Sequence, residues 1–137
     1  MPRELPKYYF RVRENGAAVF RVDTENRQRR IEMDQIAVVN IRNGEVKPQG
    51  DRVLTQGDID TIQNWMLDRN ALLAQRDIDD IHRAVDYLNI TTQWVQSKAS
   101  DEQLDDVTDA LLLAMHDLRS VLVRKKADRL MKDRPQD

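Results

Sequence analysis

The C-terminal segment from Ser100 to Asp137 constrains the fold more than any other part of the chain. It opens with Ser100-Asp101-Glu102-Gln103, the hydroxyl and glutamine spacing of a capping box. Acidic residues crowd its start and basic residues its end, in agreement with the helix dipole. Apolar residues recur at the spacing of one helix face, at Leu104, Val107, Leu111, Met115, Leu118 and Leu122. We expect a long helix from Asp101 to about Leu130 that needs a partner surface.

Composition excludes several classes of protein. A chain of 137 residues is expected to form a single domain over 1–137. It contains no cysteine, which excludes disulfides, thiolate zinc sites and cysteine nucleophiles. The sequence has no run of roughly 20 apolar residues, the length that a membrane span needs, and the N-terminus lacks the apolar core of a secretion signal. A cytoplasmic protein without a membrane partner is the expectation.

Charge is distributed unevenly along the chain. Residues 1–50 hold ten Lys and Arg against seven Asp and Glu, whereas residues 51–116 hold five against thirteen. Residues 117–137 hold seven basic residues against four acidic ones. Charged patches act locally even when the net charge is small, so the two basic ends point to an anionic partner.

Two apolar segments around Glu14-Asn15-Gly16 predict a β-hairpin over about 8–23. A three-residue loop of 14–16, with Gly16 in the left-handed conformation of a bulged turn, would pair Arg13 with Ala17. This register is favoured because it separates polar from apolar faces. It places Tyr8, Phe10, Val12, Ala18, Phe20 and Val22 on one face, and Tyr9, Arg11, Arg13, Val19 and Arg21 on the other.

A second hairpin is predicted around Asn43-Gly44, the dipeptide that favours a two-residue turn. That turn would pair Arg42 with Glu45 and Ile41 with Val46, so that charges and apolar groups match across the strands. With residues 24–30 as a polar connection, the two hairpins form a four-stranded antiparallel meander over 1–50.

The helical part is predicted over 51–131, with 132–137 as a disordered tail. A first helix begins near Thr55-Gln56-Gly57-Asp58, and a break at 74–77, with Asp77 as the next N-cap, is one alternative to a continuous helix. The fold class is therefore α+β: an N-terminal four-stranded antiparallel β-meander followed by two or three antiparallel helices, the last one long.

Arginine-rich surface is one of two functional signals. Cations beside Tyr9 on an exposed sheet face resemble the platforms that bind nucleic acid through phosphate contacts and stacking. The candidate nucleic-acid-binding residues are Arg11, Arg13, Arg21, Arg27, Arg29 and Arg30, together with Arg124, Lys125 and Lys126 of the basic tail. An arginine-rich face is also an ordinary way to solvate an antiparallel sheet.

The second signal is the unpartnered helices. Trp65 and Trp94 are expected where helices meet and, if exposed, become candidate partner-binding residues. A non-enzymatic protein–protein interaction or assembly module, with a homodimer through the helices as one form, is the leading hypothesis. A small nucleic-acid-associated or regulatory factor is the alternative.

An enzyme is the third hypothesis. Carboxylates on neighbouring helices, at Asp77, Asp79, Asp80, Glu102, Asp105, Asp106 and Asp109, are the ligand type that Mg²⁺ prefers. They suggest a metal-dependent phosphohydrolase, but the paired-glutamate motif of helical pyrophosphohydrolases is missing. His82 and His116 also lie among acidic residues, without the third strong ligand of a tight metal site. No cofactor is expected.

Overall fold

The computed structural model describes residues 5–23 and 30–133. Within these ranges four β-strands precede two α-helices, so the α+β class is confirmed with two helices rather than three. The strands pair antiparallel in the order β1-β2-β3-β4, which is the predicted meander. The elements are β1 (Tyr8–Arg13), β2 (Gly16–Asp23), β3 (Glu32–Asn40), β4 (Glu45–Pro48), α1 (Gln56–Ser97) and α2 (Asp101–Lys132).

The first hairpin has a two-residue loop, and the predicted three-residue loop is wrong. Arg13 pairs with Gly16 and Phe10 with Val19, one residue away from the expected register. Gly16 is not a left-handed turn residue: it lies inside β2, where an added Cβ would stand 1.8 Å from the carbonyl oxygen of Val39. Close approach of β3 therefore requires glycine at this position.

Polar–apolar alternation does not indicate the register of the first hairpin, because β2 is a central strand. Its residues 17–20 are all buried, although they point alternately to the two faces of the sheet. The predicted division of side chains between the two faces of the sheet is therefore wrong for β2, since Val19 and Arg21 lie on the same face as Tyr8 and Phe10. A bulge beside Val19 adds Ile36 to the buried side chains of β3.

The second hairpin closes through a four-residue loop, so the predicted pairs Arg42–Glu45 and Ile41–Val46 are wrong. Val39 faces Val46 and Asn40 faces Glu45. The Asn40 side chain accepts hydrogen bonds from the backbone N–H groups of Arg42 (2.9 Å) and Asn43 (3.4 Å), which organises the longer loop. Because the slip is two residues, each side chain keeps its predicted face.

Packing divides the chain into two compact units, residues 1–80 and 81–137. The single domain expected over 1–137 stays a prediction. In the first unit the start of α1 covers one face of the sheet. Ile62 is fully buried there against Val19 and Ile36, and the Trp65 ring stacks on Phe10 with centroids 4.7 Å apart.

α1 is one continuous helix, so the alternative break at 74–77 does not occur. Residues 74–77 contain neither glycine nor proline, and nothing there interrupts the backbone hydrogen bonds. The weak helix formers Thr91 and Thr92 are accommodated by hydroxyl bonds to the carbonyls of Tyr87 (2.8 Å) and Leu88 (2.9 Å).

α2 begins where the sequence predicts. The Ser100 hydroxyl accepts from the Gln103 N–H (3.2 Å), and the Gln103 side chain accepts from the Ser100 N–H (3.0 Å), which confirms the capping box. The helix continues through Lys132 to a C-cap at Asp133, so the predicted disordered tail is wrong at Lys132. Its remainder, 134–137, lies outside the described residues.

Candidate functional site

The second unit consists of the end of α1 and the whole of α2, which form a helical hairpin through residues 98–100. Open grooves follow both sides of this hairpin. We call them the Trp94 groove and the Met115 groove. Thr91, Val107 and Leu111 line both of them and therefore mark the seam between the two helices.

The Trp94 groove has a volume of about 580 Å³. It is bordered by Tyr87, Ile90 and Trp94 from α1 and by Asp106 and Ala110 from α2. Three large apolar or aromatic side chains beside one carboxylate give the groove an apolar floor with a charged edge. Such a composition suits the docking of a polypeptide side chain better than the binding of a phosphate.

The Met115 groove lies on the other side of the seam and has a volume of about 300 Å³. Its walls are more strongly apolar. They are formed by Leu88, Thr92, Val95 and Gln96 from α1 and by Leu104, Thr108, Leu112 and Met115 from α2. A groove with mostly apolar walls fits a helix with aliphatic residues of its own.

α2 leaves much of its apolar surface exposed in the structure described. None of its residues is buried. Leu112, Met115, Leu118 and Leu122 each expose more than half of their surface. Single exposed leucines are common on proteins, but a continuous apolar row along a helix is typical of interaction surfaces.

The two tryptophans have different surroundings. Trp65 is half-buried against Phe10 and holds α1 on the sheet, so it serves the core of the first unit. Trp94 is half-buried on the wall of the groove that bears its name. The sequence prediction that both pack where helices meet is therefore wrong for Trp65, and Trp94 is left as the candidate partner-binding residue.

The structure separates the three sheet arginines. Tyr9, Arg11 and Arg13 share the face that points away from α1, where the Arg11 guanidinium carbon lies 4.5 Å from the centre of the Phe20 ring. Arg21 lies on the opposite face. Its guanidinium donates to Asp58 at 2.6 Å, so the predicted grouping with Arg11 and Arg13 is wrong.

The other predicted basic residues come from different parts of the chain. Arg27 and Arg29 lie outside the described residues, and Arg30 is exposed before β3. Arg124, Lys125 and Lys126 are exposed on α2 in the second unit. Among the described residues of the first unit, the structure therefore places Arg11 and Arg13 of the predicted nucleic-acid surface beside Tyr9.

Asp58 is the one charged residue that the described structure buries completely. It is the third residue of α1, and its carboxylate accepts hydrogen bonds from the Tyr8 hydroxyl (2.5 Å), Arg21 (2.6 Å) and the Thr55 N–H (3.0 Å). In return the Asp58 N–H donates to the Thr55 hydroxyl at 3.0 Å, which completes a capping box. Asp58 thus ties both β1 and β2 to the start of α1.

This network shifts two pKa values. Burial alone would raise the pKa of Asp58, but hydrogen bonds from Tyr8 and Thr55, with the charge of Arg21, outweigh it and hold that pKa below its ordinary value. The hydrogen bond to Asp58, together with burial, raises the pKa of Tyr8. The Thr55-to-Asp58 spacing signals the cap, whereas no local pattern reveals Tyr8 and Arg21 as partners.

The predicted acidic cluster does not converge. Across residues 5–23 and 30–133, no three His, Asp or Glu side chains lie close enough together to hold a metal ion. His116 is exposed and lies 3.6 Å from its neighbour Asp117. In the same part of the chain, neither helix offers a stretch apolar and long enough to cross a bilayer.

Comparison with protein-family models, with curated proteins and with solved structures finds no match to this chain.

Proposed function

We propose that this protein is a non-enzymatic protein–protein interaction or assembly module that acts through the helical hairpin of its second unit. The observation that carries the proposal is that α2 has no buried residue although an apolar row runs along it. Its place of action is predicted to be the cytoplasm.

Energetics support this role for the hairpin. Full burial of a leucine or methionine side chain stabilises a complex by roughly 1.5–3 kcal/mol. Met115, Leu118 and Leu122 together therefore represent a large interaction energy that the isolated chain does not use. Acidic residues at the start of α2 and basic residues at its end surround this apolar row and can select the partner.

Matched glutamate substitutions test the proposal. Ile90 borders the Trp94 groove and is 61% exposed, Leu112 lines the Met115 groove at 59%, and Leu113 borders neither at 68%. Tagged full-length chain is used to capture proteins from nuclease-treated lysate of the cells that express it. A partner at near-equal stoichiometry should be lost with Ile90→Glu or Leu112→Glu and kept with Leu113→Glu.

Circular dichroism of each variant provides the folding control for this experiment. Equal capture by all three variants would contradict the proposal, as would the combination of no captured protein and no self-association. Loss of the partner with Leu113→Glu alone would place the contact on the outer side of α2 and would also contradict it.

A second candidate function is the binding of single-stranded nucleic acid by the outer face of the sheet. The observation that favours it is Tyr9, which is 43% exposed beside Arg11 and Arg13 on one strand. An exposed ring between cations can stack on a base while the cations contact phosphates. Salt-dependent binding of oligonucleotides, lost with Arg11→Glu, is the test of this candidate.

A further inference from the structure

Apolar residues, with one threonine in each helix, follow a heptad spacing in both helices of the hairpin. Gaps of three and four residues alternate without interruption, which is the pattern of helices that pack in coiled coils and four-helix bundles. The α1 series within the second unit is Ile81, Val85, Leu88, Thr92 and Val95. The α2 series is Leu104, Thr108, Leu111, Met115, Leu118 and Leu122.

Part of each heptad series lines the same groove. Leu88, Thr92 and Val95 line the Met115 groove from α1, and Leu104, Thr108 and Met115 line it from α2. In a helical bundle the heptad positions of every helix point into a shared core. Here two helices supply their core positions and the groove between them is open, with Met115 still 53% exposed. The hairpin therefore resembles two neighbouring helices of a four-helix bundle.

Charges on α2 identify what supplies the other half. Asp101 occupies the heptad position before Leu104, and Lys125 occupies the position after Leu122. The heptad positions of α2 are thus mostly apolar in the middle of the helix, acidic at its start and basic at its end. In an antiparallel dimer these positions bring opposite charges of the two copies together, whereas a parallel dimer would bring like charges together.

We infer that the Met115 groove is filled by α2 of a second copy of this chain, antiparallel to the first, in a two-fold homodimer. The register that keeps heptad positions in layers places Leu111 opposite Met115 of the second copy and Leu104 opposite its Leu122. Asp101 then lies opposite Lys125 of the second copy. Two-fold symmetry makes each of these contacts occur twice.

Flanking positions agree with this register. Asp105 comes opposite Arg119 of the second copy, so a second pair of opposite charges lies beside the apolar layers. On the other flank Val107 comes opposite Val121, and Ala114 opposite its own equivalent. A small residue at the two-fold axis allows the helices to approach closely. The inference rests on the proposed function, because it names the occupant of one of the two grooves.

Charge reversal in the full-length chain tests the pairing. One variant carries Asp101→Lys with Asp105→Lys, and the other carries Arg119→Glu with Lys125→Glu. Each variant alone has only like charges at the four contacts, whereas a mixture restores opposite charges at all of them. Sedimentation equilibrium should show a wild-type dimer, a dissociation constant raised about tenfold or more in each variant, and recovery in the equimolar mixture.

Ionic strength provides an independent readout. Salt screens attraction between exposed opposite charges, so added NaCl should weaken the wild-type dimer and strengthen association of each charge-reversed variant. Tighter wild-type association with salt would indicate like charges in contact and would overturn the antiparallel arrangement.

Cysteine cross-linking tests the register with milder substitutions. The chain has no cysteine of its own, so Leu104→Cys and Leu122→Cys each introduce one unique thiol. Oxidation of an equimolar mixture should give mixed disulfides between the two variants. Disulfides within each variant alone, or none in the mixture, would overturn the proposed register.

The result also separates this inference from the proposed function. A wild-type chain that is monomeric at every concentration overturns the homodimer. If Ile90→Glu and Leu113→Glu still differ in the capture of another protein, the interaction module stands without it.

Discussion

The two units of this protein use apolar side chains in opposite ways. In the first unit Ile62 of α1 is fully buried on the sheet and Trp65 stacks on Phe10, so the apolar residues are covered by the unit itself. In the second unit none of the residues of α2 is buried. Similar residue types thus build a core in one unit and a surface in the other, which is why we propose the binding role for the second unit.

The largest effect that we expect comes from truncating the first unit's core. Ile62→Ala should destabilise the chain by about 2–5 kcal/mol, because it removes buried methylenes and leaves a cavity. Leu113→Ala, at an exposed position of α2, should change stability by no more than about 0.5 kcal/mol. Urea denaturation followed by circular dichroism measures the unfolding free energy of both variants. Equal losses of unfolding free energy would contradict the difference between the two units.

The next effect concerns the buried carboxylate. Asp58→Asn should cost about 1–3 kcal/mol, because it disturbs hydrogen bonds from Tyr8, Arg21 and Thr55 to a group without access to water. Asp60→Asn is the matched control, since Asp60 is exposed in the same turn. A similar loss of unfolding free energy in both variants would show that Asp58 does not hold α1 on the sheet.

The same carboxylate predicts the pH dependence of the first unit. The pKa of Asp58 is lower in the folded chain than its ordinary 3.8. Its stabilisation is therefore fully present above about pH 4 and is lost as pH falls through the lowered pKa. Tyr8 acts in the opposite direction: its raised pKa gives stabilisation below pH 10 that disappears at higher pH.

Denaturation of wild type and Asp58→Asn from pH 2 to pH 7 measures how much stabilisation by the Asp58 charge is lost at acid pH. The difference in unfolding free energy should shrink toward acid pH. A difference that stays constant across this range would mean that the Asp58 charge contributes nothing.

A smaller effect is expected from the cap of α2. Ser100→Ala removes the side-chain acceptor for the Gln103 N–H and should cost the helix about 1 kcal/mol. Because α2 has no buried residue to compensate, the loss should appear as fraying, detectable by faster amide hydrogen exchange at 101–104. Unchanged exchange there would indicate that something other than the cap holds the helix start.

The smallest effect is expected on the outer face of the sheet. Arg11→Glu should weaken any oligonucleotide binding and make it less salt-dependent, while Arg21→Gln should leave that binding unchanged and lower stability instead. Fluorescence anisotropy with a labelled single-stranded oligonucleotide measures binding by both variants. Equal weakening by both substitutions would contradict the assignment of the two arginines to different faces.

The sequence predicts elements that depend on local signals and fails where distant residues decide. The start of α2 follows from Ser100 and Gln103, which are neighbours in the chain, and it is confirmed. The register of the first hairpin depends on the approach of Val39 to Gly16, which only the third strand reveals. The polar–apolar pattern of the sequence does not indicate this register, because residues 17–20 are buried on both faces of the sheet.

The candidate site likewise has one part that local sequence signals predict and one part that distant residues decide. The apolar row of α2 is legible in the sequence because it repeats with the helix period, and the structure shows it exposed. The predicted three-residue loop groups Arg21 with Arg11 and Arg13, whereas the observed register separates them. Its true partner Asp58 is 37 residues away, and no local pattern connects the two.

The strand order has a consequence for how copies of this protein can aggregate. β1 and β4 are the edges of the sheet, and an edge strand is a template on which further strands can add. β4 has four residues and ends at Pro48, which has no N–H to offer, and β1 carries Arg11 and Arg13, whose charges repel an identical strand. Both edges of the sheet thus discourage open-ended, amyloid-like growth by strand addition.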